Sequence, residues 1–275
     1  LVVEEAPSLF AVESRYGPED FRPRAQRATV QSTAKCDPEV RNVLFFVLES
    51  VPSEYLGCYG GTHGVTPNLD RYRRQALLCE QAYANVPSTH KSLFSLLCGM
   101  YPWISYRSLT QEHPDIAADS LPRVLKQRGY RTGFYFSSEL EHQGADNFLA
   151  HHSFDVIEDY AARGGEGPDF EYDLRDGKSV RGVEDLSTAN AMLDWIEQDT
   201  ARPFFSVMWT VATHHPYYVH GEPVDYGVKK SHFNRYLNAL RQGDEAFGAI
   251  MTRLETLGLA DSTLVVVLGD HGEAF

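Results

Sequence analysis

The chain has 275 residues, 43% of them hydrophobic and 12% aromatic, which supplies a sizeable core for one large α/β domain or two small ones. Against 25 basic residues stand 38 acidic ones, a formal net charge of −13. That balance excludes a nucleic-acid binder working through phosphate contacts, but not a phosphorylated substrate whose charge a metal offsets. No apolar run reaches the ~20 residues of a membrane span.

Residues 1–40 are polar, with scattered Pro and Arg, and read as a leader or linker; 41–275 read as the catalytic domain. Residues 42–49 (NVLFFVLE) form an apolar run that ends in a carboxylate, the pattern of a central parallel strand. Thr66 and Pro67 suit the cap and first position of a helix continuing past Leu69, Tyr72, Ala76 and Leu77. Residues 88–98 predict a second helix closed by Gly99, 121–128 a third stopped by Gly129, and 132–136 a strand. The Gly-, Asp- and Glu-rich stretch 163–182 reads as a surface loop. A helix is expected over 186–198, a strand over 203–212, a long amphipathic helix over 233–257 and a last strand over 263–268. Strands alternating with helices imply an α/β fold, a mostly parallel central sheet sandwiched between helices. Cys36, Cys58, Cys79 and Cys98 have no CxxC spacing, so no zinc knuckle is expected. Cys79 and Cys98 read as buried small hydrophobes.

Three of these strands end in metal-type residues: Glu49-Ser50, His214-His215 and Asp270-His271. In a parallel sheet such ends share one edge, where ligands bind. Carboxylate and imidazole donors there suit a divalent cation, and a charge closing so apolar a run as 42–49 needs a partner. Residues 87–91 (PSTHK) enter a helix whose N-terminus attracts an anion. A hydroxyl at that point, Thr89 or Ser88, can act as a nucleophile once a cation favours its alkoxide. The alternative for Thr89 is an ordinary helix cap, and Lys91 either steadies the nucleophile or a bound anion or is a solvated helix charge.

The segments VLFFVLESVPSEYLGCYGG (43–61), TPNLDRY (66–72), ANVPSTHKSLFSLLCGMYP (84–102), THHPY (213–217) and TLVVVLGDHGE (263–273) together resemble the alkaline phosphatase/sulfatase superfamily. Two departures from the sulfatase pattern stand out. Sulfatases carry paired aspartates after the first strand, where this chain has Glu49-Ser50. They also place a Cys or Ser, oxidised to formylglycine, where counting back from Leu96-Leu97-Cys98-Gly99 gives Thr89, and threonine cannot form that aldehyde. The chain is more similar to the branch of lipoteichoic acid synthases and of phosphoglycerol and phosphoethanolamine transferases.

That resemblance implies an alkaline phosphatase-like fold with Glu49, Thr89, Asp270 and His271 as metal ligands. Thr89 is then the nucleophile, His214 assists the leaving group, and Lys91 and His215 bind substrate. One or two divalent cations are expected, zinc or manganese favoured, with magnesium and calcium admitted by the donor set. The implied reaction is metal-dependent phosphoryl transfer from a phosphodiester head group of phosphoethanolamine or phosphoglycerol type, through a phosphothreonine. The alternatives are a hydrolase of the same superfamily (phosphodiesterase, phosphatase or sulfatase) and a catalytically silent binding domain. The expected partner is a phosphorylated small molecule or lipid head group, with no nucleic acid. The expected location is extracytoplasmic, with membrane anchoring through segments absent from this chain and a catalytic domain continuing past Phe275.

Overall fold

β1 (Asn42–Leu48) is the apolar run expected at the centre of the sheet, and it pairs in parallel on both sides, with β6 (Phe204–Trp209) and β7 (Thr263–Gly269). β2 (Arg131–Phe136) pairs with β6, and β3 (Val156–Glu158) pairs with β2. The order β3-β2-β6-β1-β7 is parallel throughout, so the C-terminal ends of all five strands lie along one edge. This computed structural model describes residues 40–102, 108–141, 144–165, 169–173 and 179–275. The leader expected over 1–40 therefore lies outside the described residues, apart from Val40.

Alternation along each strand sends side chains to two faces, and both faces are covered. Leu44, Phe46, Leu48 and Met208 meet Met192 and Leu193 of α6 (Asp185–Glu197) and Leu240 and Phe247 of α7 (Ser231–Thr256). On the other face Val47, Phe205, Val207 and Trp209 pack with Leu93, Phe94 and Leu97 of α2 (Thr89–Cys98) and with Phe148 and Leu149 of α5 (Ala145–His151). Leu109 of α3 (Leu109–Glu112) and Leu121 of α4 (Leu121–Lys126) join that second face. Each large apolar side chain removed from water contributes roughly 1.5–3 kcal/mol, so the two layers fix the strand ends firmly in space.

Four expectations need correction. The stretch 163–182 is not all loop: β4 (Phe170–Asp173) and β5 (Ser179–Gly182) pair as an antiparallel hairpin. α1 (Pro67–Tyr72) stops short of Leu77, which is 92% exposed because an Arg-rich 3-10 turn, Arg73–Gln75, leads the chain off the core. Its cap position is Thr66, but the Thr66 hydroxyl accepts from the Gly57 N–H at 2.9 Å and caps nothing. Asp244 of α7 does that work instead, accepting from the Asn68 and Leu69 N–H groups at 2.9 Å each. Cys79 is exposed rather than buried, and Cys98 is half-buried. No described helix is long and apolar enough to cross a membrane.

Candidate metal centre

The register of the sheet builds the site. Leu48 pairs with Gly269 across the β1–β7 ladder, so the next residues, Glu49 and Asp270, leave the sheet side by side. Position 269 must be glycine, because a Cβ there would lie 2.3 Å from the Val51 carbonyl oxygen. On the other side β6 brings up Trp209, whose indole N–H donates to Glu49 Oε2 at 3.2 Å, and Thr210, whose hydroxyl accepts from the Glu49 N–H at 3.0 Å. Glu49 and Asp270 are 1% and 4% exposed. With His271 they offer three ligand atoms all within 4.8 Å of one another.

Thr89 opens α2 directly over this cluster. Its Oγ1 lies 3.2 Å from each Glu49 carboxylate oxygen and 3.3 Å from His271 Nε2. Ser88 holds the cap position of α2 but makes no capping bond with its side chain. The Ser88 hydroxyl turns instead to the His90 ring at 3.1 Å. Between the two hydroxyls, it is Thr89 that faces the acids, and capping does not consume it.

His271 has a defined tautomer when neutral. Its Nδ1 lies 3.0 Å from the Gly272 carbonyl, which can only accept, so Nδ1 carries the proton and Nε2 the lone pair. Nε2 lies 3.5 Å from both Glu49 Oε1 and Asp270 Oδ2. Asp270 Oδ1 accepts from the Ser50 and His271 N–H groups at 2.8 and 2.7 Å, whereas Oδ2 is buried with no hydrogen-bond partner. Burial, and then the Glu49 carboxylate beside it, push the Asp270 carboxyl well above the ordinary carboxylate range. Two adjacent buried acids and an orphaned oxygen are costly as they stand. A divalent cation removes both penalties, and two carboxylates, an imidazole lone pair and a hydroxyl are a donor set that fits one.

A sulfatase family model matches residues 41–275, most of the chain and every element of this centre. The chain belongs to the Sulfatase family. It is 28% identical over 273 residues to the N-acetylgalactosamine-6-sulfatase of Homo sapiens, covering 86% of this chain and 51% of that protein. Over 97 residues it is 32% identical to the N-acetylgalactosamine-6-O-sulfatase of Bacteroides thetaiotaomicron, covering 34% of this chain and 19% of the other. The chain thus spans about half the length of the curated relatives it matches along most of its length. A solved alkaline phosphatase superfamily protein of Vibrio parahaemolyticus superposes with a TM-score of 0.71 at 22% identity, covering 86% of this chain and 55% of its own. The lipoteichoic acid synthase LtaP of Listeria monocytogenes gives 0.71 at 21% identity, with 85% and 57% covered. The two structures establish the alkaline phosphatase-like fold. The sulfatase names of the sequence relatives favour the hydrolase alternative over the phosphotransferase expected from sequence.

Not every residue singled out in the sequence joins this Sulfatase-family centre. Glu49, Thr89, Asp270 and His271 converge. Lys91 is buried on α2, two residues beyond Thr89. His214 is half-buried beside Tyr172: its Nδ1 lies 2.7 Å from the His215 carbonyl and 3.3 Å from the Tyr172 hydroxyl. His215 is exposed. The link from this loop to the centre is Thr213, whose hydroxyl donates to the Glu49 carbonyl. Trp209 and Tyr172 were not foreseen as site residues, and Ser50 was noted only as the partner of Glu49 at a strand end. Tyr172 stacks on His214 with ring centroids 5.9 Å apart, and burial plus the Glu49 charge push its phenol up to about 12. An aromatic residue in a Gly- and Asp-rich stretch was the one signal for it.

Proposed function

We propose that residues 41–275 carry the catalytic core of a metal-dependent hydrolase that cleaves esters of sulfuric or phosphoric acid, with Thr89 as nucleophile. The observation that carries this reading is the Thr89 hydroxyl, within 3.3 Å of both Glu49 oxygens and of His271 Nε2, at the N-terminus of α2. Glu49, Asp270, His271 and Thr89 would hold the cation, with zinc or manganese as the ions proposed. When bound, the cation supplies positive charge that favours ionisation of a hydroxyl and offsets charge on the ester oxygens.

The chain's own residues supply the rest. The Thr89 hydroxyl gives its proton to a Glu49 carboxylate oxygen as its own oxygen attacks the central sulfur or phosphorus. The N-terminus of α2 and Lys91 hold the non-bridging oxygens, and His215 contacts the anion from the rim. The bond to the leaving oxygen breaks, and His214 delivers a proton to the departing alcohol. Water then attacks the ester on Thr89, restoring the hydroxyl and releasing the oxyanion. The sulfatase relatives support a sulfated sugar as substrate. The family resemblance supports action outside the cytoplasm.

A second reading is transfer of a phosphoryl head group to an alcohol, and Thr89 itself favours it. Threonine gives no formylglycine, so the covalent species is an ordinary threonine ester, which an alcohol can attack as readily as water. The test is a paired assay of the manganese- or zinc-loaded protein on an aryl sulfate and an aryl phosphodiester, with Thr89→Ala as control. Cleavage of the sulfate ester that vanishes in the variant supports the hydrolase. Exclusive use of the phosphodiester, with glycerol accepting the group, supports the transferase. Full activity in the variant would remove Thr89 from either scheme.

A further inference from the structure

We propose that Ser50 is a positioning residue that sets the spacing of Glu49 and Asp270 for a single cation; this rests on the metal reading above. Ser50 is 3% exposed, and all of its polar groups are engaged. Its N–H donates to Asp270 Oδ1 at 2.8 Å, and its hydroxyl donates to Glu49 Oε1 at 2.9 Å. One residue therefore holds an oxygen of each buried acid, while Glu49 Oε2 is held from the far side by Trp209. Its carbonyl in turn accepts from the Tyr236 hydroxyl at 2.9 Å, which fastens the turn to α7. The chain leaves β1 here with φ 55° at Ser50, a left-handed conformation that is unfavourable for a non-glycine residue. Glycine would relieve that cost but would lose the hydroxyl.

The arrangement leaves Asp270 Oδ2 without a donor, while Oδ1 accepts two. An acid held by one oxygen and bare at the other keeps a lone pair for a cation. Donors behind ligating carboxylates orient them, and their loss typically lowers metal affinity 10–100-fold. A purely structural Ser50 would act differently: its removal would lower stability with and without metal and leave affinity untouched.

The experiment is calorimetric titration of Mn2+ into the metal-stripped protein, for wild type, Ser50→Ala and Ser50→Gly, with Tm measured for each stripped protein. Both variants should bind Mn2+ about tenfold more weakly. Ser50→Gly, relieved of the left-handed strain, should keep a stripped Tm at or above wild type, so weak binding there cannot be blamed on misfolding. Equal affinity in wild type and variants would overturn the role of Ser50 while leaving the metal reading intact. Wild-type affinity restored in Ser50→Gly alone would overturn it too, since backbone conformation rather than the hydroxyl would then be the cause. A wild type that takes up neither Mn2+ nor Zn2+ would overturn the metal reading and this inference together.

Discussion

Two buried aspartates in this protein have opposite fates. Asp244 on α7 is 0% exposed and Asp270 beyond β7 is 4% exposed. Burial raises the carboxyl of both. Both oxygens of Asp244 are satisfied: Oδ1 accepts from the Leu69 N–H, and Oδ2 from the Asn68 N–H and side-chain amide, each at 2.9 Å. It is a cap for α1 supplied from a distant helix. Asp270 keeps one oxygen bare and faces a second carboxylate. Burial of an acid is therefore not the mark of a functional centre. An acid left unsatisfied beside another acid, with a hydroxyl and an imidazole lone pair in reach, is.

The largest effect should come from Thr89→Ala. We expect ester cleavage by the metal-loaded protein to fall roughly 10^3-fold or more, with little change in Tm. A loss under tenfold would make Thr89 a structural residue like those around Asp244. Next in size is Asp244→Ala, which takes the acceptor away from the N–H donors at the start of α1 and should cost about 3 kcal/mol in urea unfolding. Mn2+ affinity should stay at the wild-type value; a parallel loss would erase the distinction between the two aspartates.

His152 sharpens the rule from another direction. It is 0% exposed, and neither ring nitrogen has a hydrogen-bond partner, yet it packs on Phe148, and the ionisable groups that act on it, Arg123 and His151, are basic rather than acids that could share a cation with it. Desolvation is the main cause that lowers its pKa from 6.5 to about 4. The unfolded chain thus binds a proton between those values that the folded one refuses. Stability is full above pH 6.5 and is lost as pH falls towards 4, by about 2 kcal/mol at pH 5. A His152→Leu variant should lose that share of the acid sensitivity in unfolding measured from pH 7 to 5; an unchanged slope would mean the ring is not held neutral. The smallest effect is expected from Asp270→Asn without metal. Removing one of two adjacent buried charges should stabilise the stripped protein by about 1 kcal/mol and abolish the rise in Tm on adding Mn2+. A stripped protein made less stable would place Asp270 with Asp244 as a purely structural acid.

The middle of the sheet was legible because β1 and β7 are nearly unbroken apolar runs, whereas the three-residue edge strand β3 was too short to stand out; the candidate centre was legible because each of its residues lies at the end of an element: Glu49 after β1, Thr89 at the start of α2, Asp270-His271 after β7. Parallel strands deliver such ends to one edge without further information. What the sequence concealed depends on tertiary contact. Asp244 sits in mid-helix and looks like any solvated helix charge until α1 docks on it. The β4–β5 hairpin is two four-residue strands rich in charge, too short for alternation to rise above the loop composition around them. Ser50 read as a missing aspartate, because neither its left-handed backbone nor its double donation is written in residue type. His214 stands beside Tyr172, a neighbour that only the hairpin could place there.

The central claim is that one divalent cation sits among residues far apart in the chain. The direct test is a crystal structure of the manganese-loaded protein with anomalous scattering collected at the manganese edge. The account predicts a single strong peak bounded by Glu49, Asp270, His271 Nε2 and Thr89 Oγ1. A peak elsewhere, or none in a protein soaked to saturation, would contradict it.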